Sequence, residues 1–405
     1  MTTSTHSKAG IVLLALAAGA NAATYNLLRF NAGKTFFNAF QYFGTYDTAN
    51  DSPTPDFLNS GDDFLANRSY AMSAGLTSVN DDGHAIIRVD DTSTVVYNQK
   101  RFSVSINTTE TYGPGNVFVL DAVHIPFGCS VWPAYWTAAR SWPAGGEIDI
   151  MEQTNRATNN QMALHTSPGC TIPQDGAGGT GNVILTDCGD SANAGCIIRD
   201  PSTASYGDGF NSVGGGMWVT EFALTGISIW FFSRPAVPVN LQTESNTTTI
   251  DTAALGAPVA HYPATTCNIA QFYQPQSIVL DIVLCGVFGR PTFNDTCPAT
   301  RDNACYLDWV IGPPANYSEA YFQIKSLRVF NDGSPNSFNG PVVAPDVAQG
   351  GGSGGKGGSG NTGDGSGDNG LGGSGGSGAA VAGMSVPAWS VLGALLFGAS
   401  ALLAL

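Results

Sequence analysis

The sequence predicts an all-β protein, an antiparallel β-sandwich of jelly-roll type. Between residues 23 and 340 almost no stretch has helical period. Short runs rich in β-branched and aromatic residues recur instead, parted by Gly, Asn, Asp and Pro. No strand–helix–strand spacing appears and no segment repeats, which excludes parallel α/β sheets and solenoids. Composition supplies the core: 43% of residues are hydrophobic, with 21 Phe, 13 Tyr and 7 Trp, and only 12% are charged. Such a chain is not disordered as a whole. Its 16 Lys and Arg against 31 Asp and Glu leave a net charge of -15. That balance excludes nucleic acid as a partner, because phosphate is bound by Lys and Arg. It also disfavours an anionic polysaccharide.

In chain order, residues 1–22 read as a secretory signal. Lys8 precedes an apolar run over 11–20, and Ala20-Asn21-Ala22 offers a small-x-small cleavage pattern. The body, residues 23–340, is expected to be one domain. Its strands are expected at 84–89 (HAIIRV), 102–106, 116–122, 146–150, 226–232 (GISIWFF), 277–284 and 321–330. Eight Cys lie between Cys129 and Cys305, an even number that suits an oxidising compartment, and their pairing stays open. They form no C-x-x-C pair, so no zinc site is expected. Glycosylation sequons stand at Asn50, Asn67, Asn107, Asn246, Asn294 and Asn316. Residues 341–378 read as a flexible linker, with Gly at 17 of the 29 positions from 350 to 378. Residues 379–405 end in an apolar run with no Lys or Arg after it, preceded by the small residues Ser377-Gly378-Ala379. This pattern reads as a GPI-attachment signal. The expectation is a secreted monomer held at the cell surface or wall, touching membrane only through a lipid anchor.

The chemistry concentrates in residues 142–152, WPAGGEIDIME. Three carboxylates, Glu147, Asp149 and Glu152, fall within six residues. Strand alternation puts Glu147 and Asp149 on one face and Ile148 and Ile150 on the other. Glu152 has the wrong parity, and one extra residue, a bulge near Met151, restores it to the face of Glu147. Crowded acids raise one another's pKa and yield a carboxylic acid beside a carboxylate. Glycoside hydrolysis needs that pair, one group as nucleophile and one as proton donor.

The segment resembles the active-site strand of family 16 glycoside hydrolases, in the bulged Glu-x-Asp-x-x-Glu form. Further blocks are similar to the fungal secreted endo-β-glucanases of that family: 130–137 (SVWPAYWT), 164–170 (LHTSPGC), 205–211 (SYGDGFN), 214–222 (GGGMWVTEF) and 318–329 (SEAYFQIKSLRV). The resemblance implies a concanavalin-like sandwich. It implies Glu147 as nucleophile, Glu152 as acid/base, Asp149 as the residue that orients the nucleophile, and His165 beside the pair. It implies no metal and no organic cofactor. Trp142 and Trp136 are candidates for stacking on sugar rings, and Arg101 resembles a substrate-contacting Arg of the family. After Cys285 the chain reads Gly286-Val287-Phe288 where the family commonly has Gly-Asp-Trp, which makes Phe288 a candidate substrate contact. Gln153 and Ser105 are further departures. The implied activity is a retaining endo-β-glucanase on β-1,3 or mixed-linkage glucan. A transglycosylase using the same carboxylates and a catalytically inactive glucan-binding protein are the rivals, and retention of all three acids disfavours the second.

Overall fold

The computed structural model describes residues 24–339 apart from 45, 48–51, 54, 57, 191, 243–246 and 336. The N-terminal signal, the linker, the C-terminal tail and the sequons at Asn50 and Asn246 lie outside the described residues. Alternating strands bury one face each, and the fold that results is a jelly-roll sandwich of two antiparallel sheets. The larger has nine strands, with Tyr321–Asn331 between Thr24–Ala32 and Asn116–His124 near its middle. The other has eight. Its order is Asn182–Leu185, Cys196–Arg199, Gln161–His165, Glu147–Glu152, Val131–Ala138, Ser277–Leu284, Ser105–Thr108 and Phe40–Tyr42. Helices are short pieces between strands, such as Arg68–Ser73 and Gly207–Ser212.

The expected strands are found, most with ends moved by one or two residues. The run at 277–284 is a strand over its whole length. The run at 102–106 is two elements instead of one. Arg101–Ser103 pairs in parallel with Asp63–Leu65, whereas Ser105–Thr108 pairs antiparallel with Ser277–Leu284. The two sheets meet through one core. Tyr135, Ile148, Leu164 and Leu280 come from the eight-stranded sheet, and Phe118, Leu120, Ile229 and Ile324 from the nine-stranded one. A second, smaller cluster with Val119, Val219, Trp230 and Leu241 covers the far side of the nine-stranded sheet. The opposite face of the eight-stranded sheet carries the carboxylates.

All eight cysteines are paired: Cys129–Cys297, Cys170–Cys267, Cys188–Cys196 and Cys285–Cys305. Two of these bridges, at Cys129 and Cys285, tie long loops to strand ends beside the carboxylate face. Among the described sequons, Asn294 is exposed, while Asn107 is buried within the eight-stranded sheet, where a glycan has no room.

Candidate active site

The strand Glu147–Glu152 starts at a tight turn. Gly146 has φ of 78°, and a Cβ there would meet the Tyr273 ring at 2.5 Å, so only glycine lets the chain enter the strand at this point. Residues 139–146 fold back on themselves through Gly145 N–H to Ser141 carbonyl (2.6 Å) and Gly146 N–H to Pro143 carbonyl (2.9 Å). The Trp142–Pro143 peptide in this loop is cis.

Register decides which side chains share the site. Ala138 lies opposite Glu147 and Trp136 opposite Asp149, and then the pairing slips, with Tyr135 opposite Met151 and Ala134 opposite Glu152. The residue without a partner is Ile150, so the bulge sits one place before the Met151 neighbourhood expected from parity. It brings Glu152 to the face of Glu147 and Asp149. The same slip takes the strand off its other neighbour between Asp149 and Glu152. Asn160 repairs the freed backbone: its Oδ1 accepts from Glu152 N–H at 3.0 Å and its Nδ2 donates to the Ile150 carbonyl at 2.8 Å. One Asn side chain thereby satisfies a donor and an acceptor that a bulge would leave open.

On the finished face two of the carboxyls accept an indole N–H and the third lies against His165. The exposed Trp142 donates its indole N–H to Glu147 Oε2. Trp132 donates to Glu152 Oε1 at 2.8 Å. His165, paired in register with Glu147, places Nε2 3.2 Å from Asp149 Oδ2. Burial pushes Glu147 and Asp149 well above the ordinary carboxyl range, and their own neighbouring carboxyls add to the effect. Burial raises Glu152 as well, and the Trp132 N–H opposes that rise. Crowding and partial burial therefore keep protons on this cluster into the range where isolated carboxyls are ionised. Among the described residues, Glu147, Asp149 and His165 are the one group of acids and His whose ligand atoms converge within 4.8 Å, so they are also the residues that could hold a cation.

Trp142, Trp136, Glu147, Asp149, Glu152 and His165 are thus brought together. Trp136 is half-buried and donates to Asp281 Oδ2 at 3.3 Å. Phe288 lies at the end of the same face, half-buried, its ring edge-on to Trp132 with centroids 5.6 Å apart. Arg101 is a correction. It does not reach the carboxylate face: it is 0% exposed, and its guanidinium donates to the carbonyls of Asp90, Ser93, Val310 and Gly312 while lying 4.5 Å from the Tyr317 ring centre. Five N–H donors in a planar fork suit such convergent carbonyls, so Arg101 staples loops and does not touch ligand at this site.

Two members of the face escaped the reading of the sequence. Trp132 has the parity of Trp136, and that pattern does not say which face of the strand the two occupy. Asp281 stands opposite Ala134 in register, so it and Glu152 flank the same small residue from either side. Burial, then the nearby Asp56, raise its pKa well above the carboxyl range, and Glu152 and Glu147 also contribute. A lone acid in the apolar strand SIVLDIVL was its sequence signal.

Residues 53–330 match the family model of the XgeA-like, catalytic GH16 domain. The chain belongs to glycoside hydrolase family 16. A probable glycosidase of Schizosaccharomyces pombe is 36% identical over 315 residues, covering 76% of this chain and 70% of the relative. The endo-1,3(4)-beta-glucanase xgeA of Emericella nidulans is 33% identical over 329 residues, covering 79% of this chain and 49% of the relative. The chain thus spans about half the length of that glucanase. Among solved structures, laminarinase 16A of Phanerochaete chrysosporium, bound to 6-O-glucosyl-laminaritriose in donor and acceptor sites, superposes with a TM-score of 0.69. It shares 32% identity and covers 76% of this chain and 100% of its own. An elongating family-16 β-1,3-glucosyltransferase aligns with a TM-score of 0.68 at 32% identity, with the same coverage.

Proposed function

We propose that this family-16 domain is an endo-β-glucanase that cleaves β-1,3 or mixed-linkage glucan with retention of configuration. The carrying observation is the Ile150 bulge, which turns Glu152 onto the face of Glu147 and meets two indole N–H donors there. In the first step Glu147 attacks the anomeric carbon while protonated Glu152 gives its proton to the leaving glycosidic oxygen. Trp142 N–H steadies the charge on Glu147 while that carboxylate is free. In the second step Glu152, now ionised, takes a proton from water, and the oxygen of that water displaces Glu147 from carbon. His165 acts through Asp149, holding the carboxyl that lies between the two. Half-exposed Trp142 and half-buried Trp136 offer ring faces to sugars.

The names of the relatives support glucan as substrate. The 32% identical glucosyltransferase supports a second reading, transfer of the glycosyl group to another sugar in place of water. NMR of the first product formed from laminarin tests both. Retention predicts the β-anomer first, and an α-anomer first would overturn the mechanism. Added laminari-oligosaccharide that yields longer chains at the expense of reducing sugar would establish transfer. We further propose that the chain is a secreted monomer carried to the surface by a GPI anchor. The leader-like residues 1–22 and the paired cysteines support secretion, and the apolar tail supports the anchor. Mature protein that retains residues 386–405 by mass spectrometry would overturn the anchor.

A further inference from the structure

We infer that an open hollow on the rim of the domain, past Phe288, is a second binding site for a neutral glucan chain, in line with the catalytic face. The inference rests on the glucanase reading. The hollow measures about 420 Å³, and its lining includes Asp62, Tyr97, Asn98, Gln99, Lys100, Asn303 and Tyr306. A run of contacts joins it to Glu152. Trp132 donates to Glu152, Phe288 packs edge-on to Trp132, and Arg290, two residues further, pairs with Asp62 at 2.6 Å. The Asn59 carbonyl accepts from Val287 N–H at 3.0 Å, so the segment bearing Asp62 is tied to the helix bearing Phe288.

The lining has the chemistry of a sugar site. Tyr97 is 66% exposed, and its ring stands 6.5 Å from that of Tyr306 with a 55° tilt. Among the described residues Tyr306 is the one aromatic ring beside Tyr97, which leaves much of the Tyr97 ring open to a ligand. Three amide side chains, Asn98, Gln99 and Asn303, supply both donors and acceptors, which hydroxyl groups match. One charge at the site is offset. Asp62 pairs with Arg290, and Lys100 Nζ donates to the Gly61 carbonyl. The amide lining, the two aromatic rings and the offset carboxylate suit a neutral, hydroxyl-rich ligand.

The site is also built in advance. Tyr306 O–H donates to the Gln99 carbonyl at 2.9 Å. Val95 and Gly312 exchange backbone hydrogen bonds at 3.0 and 2.7 Å. The Cys285–Cys305 disulfide fixes the turn before Tyr306 to the end of a strand of the catalytic sheet. Asn98 and Asn303 hold left-handed φ values of 64° and 55°, which Asn tolerates better than most residues. A preformed site binds without the cost of ordering loops.

The experiment uses the full chain carrying Glu147→Gln, so that binding is read without turnover, in affinity electrophoresis with laminarin and titration with laminaritriose. Tyr97→Ala in this background is expected to weaken laminarin binding about three- to tenfold and to leave the trisaccharide unaffected. Tyr97→Trp is expected to bind laminarin at least as well as the parent, which shows that the Ala variant lost a ring face and not its fold. Laminarin binding unchanged by both substitutions overturns the second site. Equal losses on polymer and trisaccharide also overturn it, because the effect then belongs to the catalytic face. If the unsubstituted chain releases no sugar from any β-glucan, the glucanase reading falls and takes this inference with it. A wild type that cleaves laminarin beside an unchanged Tyr97→Ala sinks the second site alone.

Discussion

Replacing Trp132 by Phe removes one hydrogen-bond donor from Glu152 and leaves an aromatic ring in place. The bond is 2.8 Å long and largely shielded from water, since Trp132 is 8% exposed. A hydrogen bond to an ionised group contributes about 1.5–3 kcal/mol, and one between neutral groups about 0.5–1.5 kcal/mol. The N–H therefore favours ionised over protonated Glu152 by roughly 1–1.5 kcal/mol, and each 1.36 kcal/mol is about one pH unit. Burial raises Glu152, and this donor is the largest influence that lowers it. Its removal lets the pKa rise further. Glu152 must be protonated to serve as general acid, so the alkaline limb of kcat/KM should move up by roughly one pH unit, with activity on the acid side held within a few-fold. The assay is initial-rate hydrolysis of laminarin between pH 3 and pH 9, approximately the range over which such carboxyls titrate. An alkaline limb that stays in place or moves down would refute either the bond to an ionised Glu152 or its role as acid.

Three further outcomes are expected. Arg101→Lys should destabilise the domain by roughly 3 kcal/mol or more in denaturant unfolding, because one ammonium cannot serve four carbonyls, while KM of the folded fraction stays unchanged. A raised KM with normal stability would return Arg101 to the substrate. Asp63→Asn should raise Tm at pH 7. Burial, then Asp56, hold the Asp63 carboxyl well above its unfolded value, so its stability is complete below about pH 4 and drains as pH rises through the folded pKa. The gain from Asn should vanish near pH 4, and a gain that instead grows in acid contradicts the sign. Phe288→Ala should lower kcat/KM on laminarin about two- to tenfold through loss of the edge contact with Trp132 and of a face for sugar. Normal turnover with a large fall in Tm would make Phe288 a packing residue only.

Glu147 and Asp149 share a face because side chains in a strand alternate, and that rule needs no partner. The mismatch of Glu152 was legible for the same reason, since an acid of the wrong parity reaches the shared face only if one extra residue is inserted before it. The strands themselves were legible because β-branched and aromatic runs between turn residues leave few alternatives. Where the extra residue sits was not. Ile150 and Met151 are both buried and apolar, and the choice falls to Asn160, whose amide meets the Ile150 carbonyl and the Glu152 N–H together. Arg101 reads the same in sequence whether it meets sugar or carbonyls. The meeting of 90–93 with 310–312 around it decided the matter, and those segments are far apart in the chain. Asp281 and Glu152 flank Ala134 only because two strands distant in sequence pair with the same third strand. The sequence by itself determined the sheet class, the acids and their parity, all of which follow from local periodicity. Only the tertiary structure decided which groups surround those acids, because cross-strand neighbours are set by long-range pairing, and no local pattern encodes the partner.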